Sequence, residues 1–122
     1  MEYTCPCCGY KTFTGKPGSY EICPICFWED DLSQLRFVKE TGANKINLVD
    51  AQKNYEKYGV SKLTRLNEVR KDMNNFIKDV NWRLIDLLID KIEEPIHGKD
   101  YGNSYPEDLT KLYYWSDKFL RN

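Results

Sequence analysis

The sequence has a single histidine, no basic block and no long hydrophobic run, and each lack closes off a class of function. No His-centred dyad is marked around the lone His97, which falls in a loop, and neither a phosphate-binding glycine loop nor a nucleophile elbow occurs in the 122 residues. Catalysis is the least supported class, and no enzyme is expected. Formal charge is -1. The balance is even along the chain, with seven basic against eight acidic residues in 1–60 and eleven against eleven in 61–122. A nucleic-acid-binding surface needs a Lys/Arg footprint to neutralise phosphates, so nucleic acid is disfavoured as a partner. The most apolar run, Leu84 to Ile89, is interrupted by Asp86 and is far too short to span a membrane. The opening MEYTC has neither the basic nor the apolar region of a signal peptide, and a cytosolic location is expected.

What the chain does carry is nine Tyr, five Phe, three Trp and five cysteines, three of the cysteines within the first eight residues. An odd number of cysteines in a cytosolic chain points to reduced thiols or metal ligands rather than a disulfide framework. Cys5-Pro6-Cys7-Cys8 holds a C-x-x-C between Cys5 and Cys8, and Cys23-Pro24-Ile25-Cys26 repeats it after fourteen intervening residues. One tight turn can present two thiolates to one ion, and zinc takes four in a tetrahedron. Cys5, Cys8, Cys23 and Cys26 are thus the expected ligands of one structural zinc ion, with iron in a rubredoxin-like site as the less favoured occupant. Proline sets the start of each turn, and Gly9 supplies the positive φ that closes the first. Cys7 falls on an intervening position and is the spare, although pairing of Cys5 with Cys7 is the rival assignment.

Between the knuckles, Tyr10, Thr12, Phe13, Tyr20 and Ile22 favour strands and Gly15-Lys16-Pro17-Gly18 reads as a turn. A hairpin there brings both knuckles to one end, the arrangement of a zinc ribbon, in which the ion replaces a core that so few residues cannot build. Four thiolates around a divalent ion also leave a net charge of about -2 at the site, which makes this half of the chain more acidic.

The stretches CPCCGYKTF, YEICPICFWEDD and GANKINLVDAQKNYEKYG together resemble the bacterial cysteine-rich CPCC family over roughly residues 3–60. The resemblance implies a small cytosolic metal-binding domain and carries over no established enzymatic activity. Some members look like immunity proteins found near bacterial toxins, which makes a basic toxin one form the partner could take.

After the second knuckle, Trp28, Glu29, Asp30 and Asp31 have two readings. Trp28 covers the metal site while the carboxylates are solvated or cap the next segment, or the four form an acidic, aromatic surface that docks a basic protein. Farther on, Asn47 and Asp50 fit an N-cap, a helix is predicted from about Leu48 to Tyr58, and Gly59 suits its C′ position. From Ser61 the apolar residues Leu63, Leu66, Val69, Met73, Phe76, Ile77, Val80, Leu84, Leu87 and Leu88 keep helical spacing almost to Pro95. They predict one long helix or two broken near Asn81, with a homodimer as one way to cover the apolar faces. Ser104 and Glu107 fit a capping box for a last helix from about Pro106 to Leu120.

The fold expected is therefore α+β, with a zinc-ribbon hairpin module and one helix over 1–60 and a helical region over 61–122. The expected function is a zinc-stabilised protein-binding module. The alternatives are a nucleic-acid-binding ribbon and a thiol or metal-handling protein that uses Cys7.

Overall fold

The first residues turn back on themselves around the cysteines. In the computed structural model, which describes residues 2–119 apart from 69 and 71, β1 (Tyr3–Thr4) pairs antiparallel with β2 (Lys11–Phe13). Tyr3 lies opposite Phe13 and Thr4 opposite Lys11, with a register irregularity between them. The second knuckle repeats the device. The Tyr20 amide donates to the Asp30 carbonyl (3.1 Å) and the Asp30 amide to the Glu21 carbonyl (2.9 Å), with Ile22 bridged to Glu29.

The predicted ladder between 10–13 and 20–22 is corrected to two hairpins, one around each knuckle. Closing a knuckle joins residues only a few positions apart, which costs less chain entropy than closing the fourteen-residue link. Tyr20, at φ 59, also interrupts the extended run that the longer ladder would need. The link is held instead by the Glu21 carboxylate, which accepts from the Thr14 amide and hydroxyl (3.1 and 3.0 Å) and from the Gly15 amide (2.7 Å).

Two short helices follow. α1 (Leu32–Arg36) begins at Asp31, whose carboxylate accepts from the Ser33 amide at 2.9 Å. α2 (Leu48–Tyr58) has the predicted bounds. Asn47 caps it by accepting from the Asp50 amide at 2.7 Å, and Gly59 closes it in the left-handed region at φ 80. Leu48 and Ala51 are buried against the cysteines, with Tyr55 packed on the same cluster. A buried amide pair holds the α1–α2 loop. Gln34 donates to the Glu40 and Ile46 carbonyls (2.8 and 2.7 Å) and accepts from both the amide and the side chain of Asn44.

Residues 61–119 depart most from expectation. Among those described there is no α-helix, only 3-10 turns at Leu63–Arg65, Met73–Asn75 and Leu109–Leu112. Val69 and Leu120 of the predicted helices lie outside the described residues. The reason is visible at the aspartates. Asp72, Asp79, Asp86 and Asp108 each accept from the amide two residues on, at Asn74, Asn81, Leu88 and Thr110. Such Asx turns give the backbone a partner that competes with the helical one. Most of the periodic stripe finds no face to pack on: Phe76 packs on the cysteine cluster, but Val80 is 91% and Leu88 94% exposed. Without a buried face, an isolated stripe adds little to helix stability. The capping box is not made either, because Ser104 accepts from Arg36 and donates to the Tyr101 carbonyl.

The core has two clusters. One gathers the five cysteines with Phe13, Ile25, Trp28, Val38, Leu48 and Ala51, and the other gathers Leu35 with Leu112, Tyr113, Tyr114 and Trp115. Ile85 packs on both. Arg36 ties α1 to the later loop through Glu93 (2.8 and 3.1 Å) while its guanidinium lies about 5 Å from the rings of Phe37, Tyr101 and Tyr105. Among the described residues no helix is long and apolar enough to cross a membrane.

Candidate metal centre

The two knuckles share one hydrogen-bond pattern. In the first, the Cys5 carbonyl accepts from the Gly9 amide (2.8 Å) and the Cys5 amide donates to the Tyr10 carbonyl (2.9 Å). In the second, the Cys23 carbonyl accepts from the Phe27 amide and the Cys23 amide donates to the Trp28 carbonyl, both at 2.9 Å. The fifth residue of each turn has positive φ: 83 at Gly9 and 67 at Phe27. Gly9 adopts it freely, whereas Phe27 adopts it against the steric cost of its Cβ, so the surrounding bonds hold it there.

These turns bring the sulfurs of Cys5, Cys8, Cys23 and Cys26 within 4.8 Å of one another, all four residues fully buried. Cys5 Sγ lies 3.6 Å from Cys26 Sγ, and Cys8 Sγ lies 3.8 Å from Cys23 Sγ. A tetrahedron of metal–thiolate bonds of about 2.3 Å has edges of about 3.8 Å, so the spacing fits an ion at the centre. The same spacing is far beyond the roughly 2.05 Å of a disulfide, and all five cysteines are free thiols. Cys7 is buried with them but is no member of the quartet, and the rival pairing of Cys5 with Cys7 is not the one the fold assembles. His97, exposed on its loop, is no member either.

Four buried thiols this close cannot all ionise without a cation. Burial pushes Cys5 and Cys26 well above the ordinary thiol range, aided by neighbouring sulfurs, and burial raises Cys7 as well. Cys23 goes the other way. Burial alone would raise it, but hydrogen bonds from Cys26, Cys5, Cys8 and the Thr12 hydroxyl (3.3 Å) outweigh that and favour its thiolate. Within the cluster the thiolate form is thus favoured most at Cys23, and a divalent ion at the centre would stabilise all four.

The sequence profile of the cysteine-rich CPCC family matches residues 3–75. The chain belongs to the cysteine-rich CPCC family. The matched span takes in both knuckles, α1 and α2, and it runs past residue 60 through the turns at 63–65 and 73–75. A search of curated proteins found no match. In this CPCC chain the second and third cysteines of the name-giving CPCC stretch differ in role: Cys8 joins the quartet and Cys7 does not.

The acidic, aromatic stretch is placed otherwise than a docking surface would require. Trp28 is fully buried against the cysteines, and Asp30 and Asp31 are buried too. Asp30 accepts from the Ser19 hydroxyl and amide (2.7 and 3.2 Å), with burial holding its carboxyl above the usual range, and Asp31 caps α1. Glu29 stays half-exposed, its backbone clasped by the Asn44 side chain. The reading in which Trp28 covers the site and a carboxylate caps the next segment is the one realised, and the docking surface at Trp28, Glu29, Asp30 and Asp31 is corrected.

Three residues with a hold on the centre escaped the sequence. Thr12 reaches Cys23 directly. Gln52 donates to the Pro6 carbonyl inside the first knuckle (2.9 Å), and the Trp82 indole donates to the same oxygen (3.0 Å). Only Thr12 carried a signal, through the inward-facing alternation of its strand. Gln52 and Trp82 reach Pro6 across 46 and 76 positions, and no local pattern marks them.

Serine in place of any one of Cys5, Cys8, Cys23 or Cys26 should abolish stoichiometric metal retention and the folded signal of residues 3–30, whereas Cys7→Ser should keep both. Elemental analysis beside amide exchange reads the difference, and equal damage from all five would refute the quartet. Metal affinity should also rise with pH. Each ligand thiol that is protonated in the metal-free protein must release its proton on binding, and burial, by pushing Cys5 and Cys26 up, puts these two among them. At least two protons make the apparent affinity climb at least about a hundredfold per pH unit below their raised pKa values and fall as steeply in acid. Competition titrations at several pH values measure that slope.

Proposed function

We propose that the protein is a small zinc-stabilised interaction module, in which the quartet holds one structural zinc ion and the chain acts through its outer surface. The observation that carries this reading is closure: all four tetrahedral positions belong to buried thiolates. A catalytic zinc keeps a position for water, and this centre offers none. Zinc is the usual occupant of closed four-cysteine sites, while the same thiolates would also accept iron. Five free cysteines, all buried, suit a reducing compartment such as the cytosol.

The partner proposed is a protein of basic character. With about -2 added at the centre, the chain's formal -1 becomes about -3, which favours a cationic partner over nucleic acid. Leu84, Leu87 and Ile89 stand exposed beside Val49 and Lys53 of α2, with Arg83 and Asp86 in the same groove, a largely apolar patch of the kind that marks protein contacts. A toxin neutralised by this chain is the narrower form of the proposal. The thiol-handling alternative draws no support from Cys7, which is sealed from solvent and pushed by burial away from the reactive thiolate.

Replacing the native ion with cobalt should give the spectrum of a tetrahedral four-thiolate complex, unchanged by added azide or cyanide. A shift on adding anion would reveal an open position and overturn the structural role. Affinity capture with metal-loaded protein from the source cell should yield a basic protein that elutes with salt, and a clean blank from intact bait would count against the partner.

A further inference from the structure

Residues 76–85 cross the first knuckle as a strap, and they grip its backbone. The Lys11 amide donates to the Ile77 carbonyl and the Asp79 amide to the Gly9 carbonyl, each at 2.8 Å. The Trp82 indole donates to the Pro6 carbonyl, and its ring lies so close over Gly9 that a Cβ there would sit 2.5 Å from it. Lys78 rests over the rings of Tyr10 and Trp82 at 4.8 and 4.9 Å. Gln52 completes the clamp, holding the Pro6 carbonyl while accepting from the Ile85 amide at 3.0 Å. The second knuckle is held differently, by the Ser61 amide on the Cys26 carbonyl and Arg65 over Phe27.

We infer that metal at the quartet and docking of the 76–85 strap are coupled, so that the strap is a metal-responsive element that covers Cys5 and Cys8 and slows exchange of the ion. The inference rests on the reading of the quartet as a zinc site. Pro6, Gly9 and Lys11 lie in or beside the loop whose shape Cys5 and Cys8 fix when they share an ion. With the ion bound, Pro6 O, Gly9 O and Lys11 N stand at the spacing the strap requires. Without it, the two thiols lose the common centre that holds the loop shut, and the strap loses its register. Coupling is reciprocal, so a chain whose strap is loosened must release its ion more readily. The strap also carries Leu84 and leads into the exposed Leu87–Ile89 patch, so its release would rearrange the apolar surface proposed for the partner.

The test uses the zinc-loaded full chain and follows zinc transfer to a chromogenic chelator together with exchange at the Lys11 and Asp79 amides. Trp82→Ala should deprotect both amides and speed transfer about tenfold or more, within the roughly 5–150-fold range of ordinary couplings. Arg36→Ala, which breaks the Glu93 pair away from the knuckle, should lower the denaturant midpoint and leave transfer at the wild-type rate. Equal acceleration in the two variants would reduce the effect to general destabilisation and overturn the coupling. Transfer unchanged in Trp82→Ala, with or without freed amides, would overturn it as well. Should Trp82→Ala fail to fold, Trp82→Phe keeps a ring over Gly9 and deletes only the bond to Pro6, and it should speed transfer to a smaller degree, with no change counting against the strap. Purified wild-type protein that retains no metal would sink the zinc reading itself, an outcome distinct from metal held but insensitive to Trp82.

Discussion

Four sulfurs brought within 4.8 Å of one another, with no water to reach them, are the constraint on which the rest of this molecule depends. Buried thiols in such a group resist ionising together, and an uncompensated cluster of thiolates would repel itself apart. A divalent ion reverses both effects at once, converting mutual repulsion into four bonds to a shared centre. Binding free energy of this kind, on the order of 10–16 kcal/mol in finger peptides, is comparable to or larger than the total stability of a small domain. Each of the two hairpins here is only a few residues long, too short to stand alone in water. An ion held by the four sulfurs would join the two hairpins into one fold.

Around that centre the polar interior is arranged in closed circuits. Gln52 links the first knuckle, the Tyr114 hydroxyl and the Ile85 amide, and Tyr114 in turn donates to the Arg83 carbonyl. Asp79 gathers the Thr4 hydroxyl and the Trp115 indole at one carboxylate oxygen. Among the described residues only the Ser61 hydroxyl is buried without a partner. Because these circuits join residues far apart in sequence to the knuckle backbone, the C-terminal half, poor in regular structure, is nonetheless tied to the centre by directional bonds rather than by a packed helical face. Tyr113 stacked on Trp115, and Tyr114 set edge-on to the same ring, wall off the second cluster.

The parts of the fold that were legible in the sequence are those whose cause is local. C-x-x-C spacing, Gly9 at the end of its turn, Asn47 before α2 and Gly59 after it all act over a few residues, and each stands where its chemistry put it. The helical stripe from Leu63 to Leu88 misled because periodicity reports a helix only where another surface covers it, and here Asp side chains offered the backbone a nearer partner. Trp28, Asp30 and Asp31 misled for a related reason. A charged, aromatic tetrapeptide looks like surface until Ser19 and the amide of Ser33 are known to meet its carboxylates.

By itself the sequence pointed to the four sulfurs that meet, with the pairing of Cys5 and Cys7 as the rival, since two residues on one turn and two on another leave little freedom in which sulfurs can meet. It also determined α2 and its caps, which depend on contacts between neighbours. The tertiary structure alone decided that each knuckle closes its own hairpin, that the acidic stretch faces inward, and that a segment some seventy positions away straps the first knuckle. Those outcomes turn on which distant backbone groups find each other. Such pairings carry no periodicity along the chain, and only the folded arrangement of hydrogen bonds selects among them.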